Sequence, residues 1–201
     1  MKCETCLGAL TKIHNQDYHR CAGCNSYRFP LQLTSSVDPI VAVGKTVEAE
    51  CPKCDITLQL GLIHGRWNVC YCQNCRGFLI ESGALQVIAH ELRASYVGQD
   101  DVPVAIDPSE LRCERSCPAC RGQFDTHPYY GPGNVVIDSC HRCGLTWLDH
   151  GELATIMRAP GKRPSPDSSP VVPTYTHFPT DVVAETTMFV IKNALRFIAM
   201  Q

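Results

Sequence analysis

The chain has 201 residues, with 14 each of cysteine, glycine and proline, whereas only 7% of its residues are aromatic. This composition argues against one large apolar core. Charge is nearly balanced, with 18 Lys and Arg against 20 Asp and Glu, which excludes a protein that binds nucleic acid through bulk positive charge. No apolar run approaches the roughly 18 residues of a membrane span, and the N-terminus lacks a charged and then apolar leader. We therefore expect a cytoplasmic protein without a transmembrane segment.

The cysteines follow a regular pattern. Six Cys-x-x-Cys pairs form three consecutive sets of four, with 14, 17 and 19 residues between the inner cysteines. A Cys-x-x-Cys turn points two thiolates at one centre, and two such turns complete a tetrahedral site of four sulfurs. We predict three structural Zn²⁺ ions as the cofactors. The twelve predicted metal ligands are Cys3, Cys6, Cys21, Cys24, Cys51, Cys54, Cys72, Cys75, Cys117, Cys120, Cys140 and Cys143.

Two other chemistries use similar cysteine pairs. A rubredoxin-like site would hold iron between the same turns, and a thioredoxin-type redox pair would need a βαβ unit that the sequence does not show. Four thiolates leave no coordination position for water, so each zinc site is expected to be structural. We accordingly expect a non-enzymatic protein without catalytic residues and without a further cofactor-binding site.

Residues 1–30 form the first predicted zinc ribbon. This segment has a net charge of +2 and carries basic and aromatic side chains together, namely Arg20, Arg28, Tyr18, Tyr27 and Phe29. Basic groups interleaved with aromatic rings are typical of surfaces that bind single-stranded nucleic acid. Direct nucleic-acid binding by this ribbon is therefore one alternative function.

The second predicted ribbon is followed by an amphipathic helix. Residues 31–50 are a predicted linker whose valines favour a strand added to either neighbour, and residues 51–99 hold the ribbon and the helix. Apolar residues recur at helical spacing, at Leu85, Ile88, Ala89, Leu92 and Tyr96. We expect about 15 helical residues that pack on their own ribbon or join the second ribbon to the third.

The third predicted ribbon, with a short helix, spans residues 113–158 and repeats the second. Residues 72–85 align without gaps on residues 140–153, so that Leu79 matches Trp147. Trp147 is expected to anchor a small core. Further along, Asp149 and Glu152 have the spacing of a capping box, which predicts a helix opening at His150.

The third ribbon also carries a family motif. The segments Cys117-Pro-Ala-Cys120 and Cys143-Gly-Leu-Thr-Trp147-Leu-Asp-His-Gly-Glu-Leu153 resemble the transcription factor IIB-like zinc ribbon family, apart from Leu145, where a second glycine is usual. The match is clearest in residues 117–153 and weaker in residues 51–85, and the first ribbon keeps only the cysteines. The resemblance implies a small zinc-bound β-ribbon, used mostly for protein or nucleic-acid contacts and without enzymatic activity.

Two segments follow the third ribbon. Residues 159–180 are rich in proline and predict an extended linker. Residues 181–200 predict an amphipathic helix, whose polar interruptions at Lys192 and Arg196 argue against a membrane span. An apolar helix on a flexible tether typically docks on another surface, which can belong to the same molecule, to a second copy or to a partner protein. We therefore expect a protein partner that is bound in part through this helix.

The fold class expected from these elements is a small metal-stabilised β fold with short α-helices, built from three tandem zinc-ribbon modules plus a tethered C-terminal helix. The function expected is that of a scaffold or adaptor for protein–protein contacts in a larger assembly, linked to transcription by resemblance alone. Nucleic-acid binding is not favoured, because residues 100–160 hold five arginines against nine acids.

Cys70 and Cys113 lie outside the three sets. Both are expected to be ordinary free thiols. A second alternative function follows from them, a zinc-thiolate redox switch in which these two thiols are oxidised first and zinc is then ejected.

Overall fold

The computed structural model describes residues 1–13, 18–29, 38–112 and 114–168. Cys113, the predicted helix at 181–200 and residues 169–180 of the predicted linker lie outside these ranges. The strands are β1 (Leu10–Lys12), β2 (His19–Cys21), β3 (Tyr27–Arg28), β4 (Ile40–Glu50), β5 (Thr57–Ile63), β6 (Trp67–Tyr71), β7 (Phe78–Glu81), β8 (Asp125–Pro128), β9 (Val136–Cys140) and β10 (Leu145–Leu148). The helices are α1 (Ser82–Ser95) and α2 (Glu152–Arg158), with a 3₁₀ turn at Glu110–Arg112. Within the described ranges, neither helix has the length and apolar character that a membrane crossing requires.

All six Cys-x-x-Cys turns have the same backbone geometry. In each turn, the N–H of the residue after the second cysteine donates to the carbonyl of the first cysteine at 2.8–3.0 Å. That residue adopts a left-handed conformation with φ between 56° and 63°, at Leu7, Asn25, Asp55, Arg76, Arg121 and Gly144. Only the last of these is glycine, and the left-handed region costs other residues about 1–2 kcal/mol. Interactions other than the backbone preference of these residues must therefore stabilise the turns.

The second and third ribbons share one sheet. Seven antiparallel strands run in the order β4-β5-β6-β7-β10-β9-β8, and β7 pairs with β10 so that Leu79 lies directly opposite Trp147. These two residues are also equivalent in the sequence repeat. An internal two-fold axis therefore passes between them, and the two ribbons meet as the halves of a symmetric dimer would. The first ribbon forms a separate three-stranded sheet of β1, β2 and β3.

The seven-stranded sheet separates two apolar layers. On one face, Leu79 and Trp147 pack with the cysteines of the second and third tetrads. On the other face, Phe78, Ile80 and Leu148 pack under the two helices. Trp147 is completely buried, as the sequence predicts, because it lies between the two tetrads at the centre of this layer.

Helix α1 confirms the amphipathic prediction. Its buried apolar residues are Leu85, Ile88, Ala89 and Leu92, and the helix contacts α2 as well as β7 and β10. Arg93 donates to the carbonyls of Ile156 and Ala159 at 2.8 and 2.9 Å, which satisfies the free carbonyls at the end of α2. Helix α1 therefore joins the second ribbon to the third.

Two segments assigned to linkers take part in the fold. Residues 40–50 form strand β4, which pairs with β5 and so extends the second ribbon, as the valines of this stretch favour. After α2, the chain runs back along α1, where the Arg163 guanidinium lies 4.7 Å from the centre of the Tyr96 ring. The part of the proline-rich segment that the structure describes, up to Ser168, is thus packed on α1.

The close contact at Gly77 provides a test of the shared sheet. A Cβ at this position would lie 2.4 Å from Cζ2 of Trp147 and 2.9 Å from the Leu148 carbonyl oxygen. We expect Gly77→Ala to lower the free energy of unfolding by about 1–3 kcal/mol, measured by urea denaturation with zinc present. Gly122→Ala is the control, because Gly122 has the same position in its own turn and its Cβ would meet only the Cys120 sulfur, at 3.4 Å. Equal losses in the two variants would contradict the packing of Trp147 against Gly77.

Candidate metal centres and the junction between the ribbons

The structure brings all twelve predicted ligands together in three tetrads. The four sulfurs of each tetrad lie within 4.8 Å of one another. The nearest sulfur pairs are 3.4–3.6 Å apart, for example Cys6 to Cys21 and Cys51 to Cys75. A tetrahedral zinc site with bonds of about 2.3 Å places its sulfurs about 3.8 Å apart, whereas a disulfide requires about 2.05 Å. The spacing therefore fits metal sites and not disulfides.

The donor set fits zinc in a structural role. Four cysteine sulfurs in tetrahedral reach are the ligands of structural zinc, and they leave no coordination position for a substrate. Bound zinc supplies a cross-link between two distant turns of the chain. Backbone N–H groups support the ligands, since those of Thr5 and Lys53 donate to the sulfurs of Cys3 and Cys51, both at 3.4 Å.

The three tetrads differ in their exposure. In the first tetrad Cys6 and Cys24 are exposed, whereas the second and third tetrads have three buried cysteines and one half-buried cysteine each. Ser26 lies against the sulfurs of Cys3 and Cys24 at 3.2 and 3.1 Å. The first site is thus the one that solvent, chelators and oxidants reach most readily.

Cys70 does not fit the redox alternative. Its side chain is fully buried on β6, and burial raises the pKa of the thiol to about 12. Oxidants attack thiolates that are accessible, so Cys70 is not an early target. Cys113 lies outside the described residues.

The aromatic residues of the first ribbon are used in packing. Tyr18 is completely buried, with its ring centre 5.3 Å from that of His150, and Phe29 meets the same histidine at 4.8 Å. Cations of the second ribbon lie over two of the rings. Lys53 is 5.3 Å from the centre of the Tyr27 ring, and Arg76 is 3.9 Å from the centre of the Phe29 ring. The first ribbon is therefore docked on the body formed by the other two.

This docking bears on the nucleic-acid alternative, which requires an exposed stacking surface on the first ribbon. Tyr18 is completely buried, whereas Tyr27 and Phe29 are half-buried against the turns of the second ribbon. The basic groups are also engaged, since Arg20 donates to Asn25 at 3.0 Å and Arg28 pairs with Glu4. The sequence places the five residues in one ribbon, but it does not indicate that Tyr18 is buried.

A half-buried ionic network joins the second ribbon to the third. The Asp149 carboxylate accepts from Lys53 at 2.8 Å, from Arg115 at 3.1 Å and from the Trp147 indole N–H at 3.0 Å. Burial alone would raise the pKa of Asp149, but Arg115 and Lys53 hold it below its usual range. Arg115 also pairs with Asp138 at 2.7 Å. The motif residue Asp149 therefore connects the two ribbons instead of capping a helix.

Helix α2 is capped by a residue that sequence reasoning missed. The predicted capping box is half formed, since the Asp149 N–H donates to Glu152 at 2.7 Å, but the helix begins at Glu152 and not at His150. Asp38 accepts instead from the N–H groups of Gly151 and Ala154, at 2.6 and 2.8 Å. Because 113 residues separate Asp38 from Gly151, no local pattern signals this cap.

Substitution of one zinc ligand in the third ribbon and of one in the first ribbon tests the metal centres. We expect Cys117→Ser to lose one zinc and to expose the amides of β5, β6 and β7 to hydrogen exchange, because β7 loses its partner β10. Cys6→Ser should also lose one zinc, but it should leave those amides protected. Native mass spectrometry counts the zinc, and Cys70→Ser should retain all three ions. Unchanged exchange in Cys117→Ser would mean that the second and third ribbons are independent modules.

The burial of Asp38 gives a pH dependence with a definite sign. Burial raises the pKa of Asp38 to about 6, against the opposing effect of the two backbone N–H groups. The native state thus binds a proton that the unfolded chain releases between about pH 4 and pH 6, so the contribution of this group to stability falls as the pH rises through that range. The free energy of unfolding of the wild type, minus that of Asp38→Asn, should increase by about 1 kcal/mol from pH 7 to pH 5.

Chemical denaturation of both zinc-saturated proteins at the two pH values measures this difference. The pH dependence of zinc binding by the thiolates is shared by both proteins and cancels. A difference that does not change with pH would show that Asp38 keeps an ordinary pKa in the folded protein.

Comparison with known proteins agrees with this geometry. No curated protein and no solved structure matches the chain at a significant level. One family model matches, described as a transcription factor zinc-finger, over residues 116–159. That range contains the third tetrad, the hairpin of β8 and β9, β10 and α2. Residues 116–159 thus match the transcription factor zinc-finger family, and all three cysteine tetrads fit zinc ribbons.

Proposed function

We propose that the protein is a non-enzymatic, zinc-stabilised adaptor that binds other proteins in a larger assembly. The observation that carries this proposal is the contrast between its interior and one edge of its sheet. The thiolates lie in closed tetrads and Tyr18 of the first ribbon is buried, whereas β4 is an 11-residue edge strand that pairs only with β5 among the described residues. Protein contact is the activity that such an edge supports directly.

Strand β4 has the properties of a strand-pairing surface. It is 11 residues long, and among the described residues only β5 pairs with it. Val41 and Val43 are 66% and 48% exposed. An edge strand offers unpaired N–H and C=O groups, and partners commonly dock by adding an extended segment to such an edge. A partner with an extended, partly apolar segment fits this surface.

The proposal also includes a second contact with the partner, a link to transcription and a cytoplasmic location. The predicted helix at residues 181–200 is a second contact with the partner. The family description of residues 116–159 names transcription factors, and it supports an assembly linked to transcription. The cytoplasm is the expected compartment, because twelve ligand cysteines must stay reduced to bind zinc.

A pair of charge substitutions on β4 tests the adaptor proposal. We expect the double variant Val41→Lys/Val43→Lys, expressed at full length in the native cells, to recover at least about tenfold less co-purified partner than the wild type. Val97→Lys is the matched control, because Val97 is 98% exposed and lies outside the sheet. Both variants should retain three zincs in native mass spectrometry.

The remaining outcomes separate the parts of the proposal. A partner recovered equally with the double variant would exclude the β4 edge as the contact surface. If that partner is lost when the chain ends at residue 168, the contact lies in the segment that contains the predicted helix. The absence of any protein co-purifying with the wild type would contradict the adaptor function itself.

A further inference from the structure

The first tetrad lacks the apolar covering of the other two. Its Cys6 and Cys24 are exposed, whereas each of the other tetrads has three buried cysteines and one that is half-buried. The second and third tetrads belong to the apolar layer around Trp147, but within the described residues the first tetrad belongs to neither apolar layer. Because zinc moves between sites by ligand exchange, an incoming ligand must reach the metal, and the shell around a site controls that access. The first zinc site is therefore open to competing ligands.

The first ribbon has little besides its metal to keep it folded. Its three strands contain three, three and two residues. Among its described residues only Cys3, Tyr18 and Cys21 are buried, and two of these are zinc ligands. Segments this small need a metal or another cross-link to fold. Loss of its zinc should therefore unfold the first ribbon.

The zinc-bound hairpin also places the rings that dock the ribbon. Tyr18 directly precedes β2 and Phe29 directly follows β3. Because these two strands pair with each other, the two rings lie side by side, with their centres 5.0 Å apart. Both rings contact His150 of the third ribbon, at 5.3 and 4.8 Å, and His150 is only 3% exposed. The turn between the two strands carries Cys21 and Cys24, so the same metal that closes this turn fixes the rings that bury His150.

We propose that the first tetrad is an exchangeable zinc site, and that its metal holds the first ribbon as a cover over His150. A ligand with thiolate or nitrogen donors takes the zinc ion, and the four released thiolates take up protons from solvent without a change of oxidation state. The first ribbon then unfolds and uncovers His150 and the neighbouring Lys53, whereas the two zinc ions inside the apolar layer stay bound. This device is separate from strand β4 and does not depend on the adaptor function.

Zinc binding and docking of the first ribbon are linked thermodynamically. If zinc strengthens docking, docking must strengthen the binding of zinc by the same factor. A substitution on the docking surface of the third ribbon, away from the sulfurs of the first tetrad, should therefore change the release of the first zinc. This coupling distinguishes a metal-controlled cover from an exposed site that merely loses its metal.

Native mass spectrometry of the full-length, zinc-loaded protein, sampled over time after addition of excess EDTA, measures the release. We expect one zinc to leave at least about tenfold faster than the other two. Cys6→Ser, which is expected to lack the first zinc from the start, should show no fast phase. Release of all three ions at one rate, or a fast phase that persists in Cys6→Ser, would overturn the proposal.

Modification of histidines by diethylpyrocarbonate, located by peptide mass spectrometry, reports the state of the cover. His150 should be protected while three zincs are bound, reactive once the fast phase is complete, and protected again when zinc is restored. His141, whose side chain is 62% exposed, should react throughout and is the internal reference. If His150 stays protected after the first zinc has left, the ribbon docks without its metal and the proposal is wrong.

Substitutions on the docking surface test the coupling. His150→Ala should accelerate the fast phase by about fivefold or more, because it removes the ring that both aromatic side chains of the first ribbon contact. Phe29→Leu, on the other side of the interface, should accelerate the same phase. His127→Ala is the matched control, because its ring stacks on Tyr130 within the third ribbon itself. Release at the wild-type rate in both His150→Ala and Phe29→Leu, or equal acceleration in His127→Ala, would contradict the coupling.

Discussion

Each ribbon depends on the attraction of a metal ion for four thiolates that the bare chain would not hold together. Four sulfurs within 4.8 Å repel one another once they ionise, and five of the six turns that carry them place a non-glycine residue in a left-handed conformation. Structural zinc binding releases on the order of 10–16 kcal/mol, which is as large as the stability of a typical domain. Zinc therefore offsets both costs, and the short strands can form although each ribbon is too small for an apolar core of its own.

Pairing of strands then converts two of these ribbons into one body. The contact of β7 with β10 places equivalent residues opposite each other, so that one apolar layer encloses both tetrads and another lies beneath both helices. The ionic contacts of Asp149 and the cap that Asp38 provides act across the same body. The first ribbon is attached differently, through aromatic rings packed against a histidine and two cations. It is thus the part of the described structure with the smallest shared core.

The parts that could be predicted from the sequence are those encoded by short spacings. The tetrads, helix α1 and the burial of Trp147 follow from intervals of two to four residues or from an ungapped repeat. The shared sheet, the burial of Tyr18 and the cap at Asp38 depend on contacts between distant segments, and no local pattern specifies these. The repeat holds one indication of the shared sheet, because Leu79 and Trp147 are equivalent in the repeat and lie opposite each other in the sheet. Equivalence in sequence alone does not show that two repeats pair through their strands, so the pairing of β7 with β10 is known only from the structure.

The long separation between Asp38 and the helix it caps has a consequence for biosynthesis. A chain made from its N-terminus exposes the second ribbon before the third exists. During that interval β7 is an open edge, and Asp38 has no N–H groups to accept from. Each tetrad, however, closes within 27 residues of sequence, so zinc can fix a ribbon as soon as its own second turn has emerged. The supply of zinc during translation therefore determines whether the second ribbon is already folded when the third is made, or is an unfolded segment that can pair with other chains.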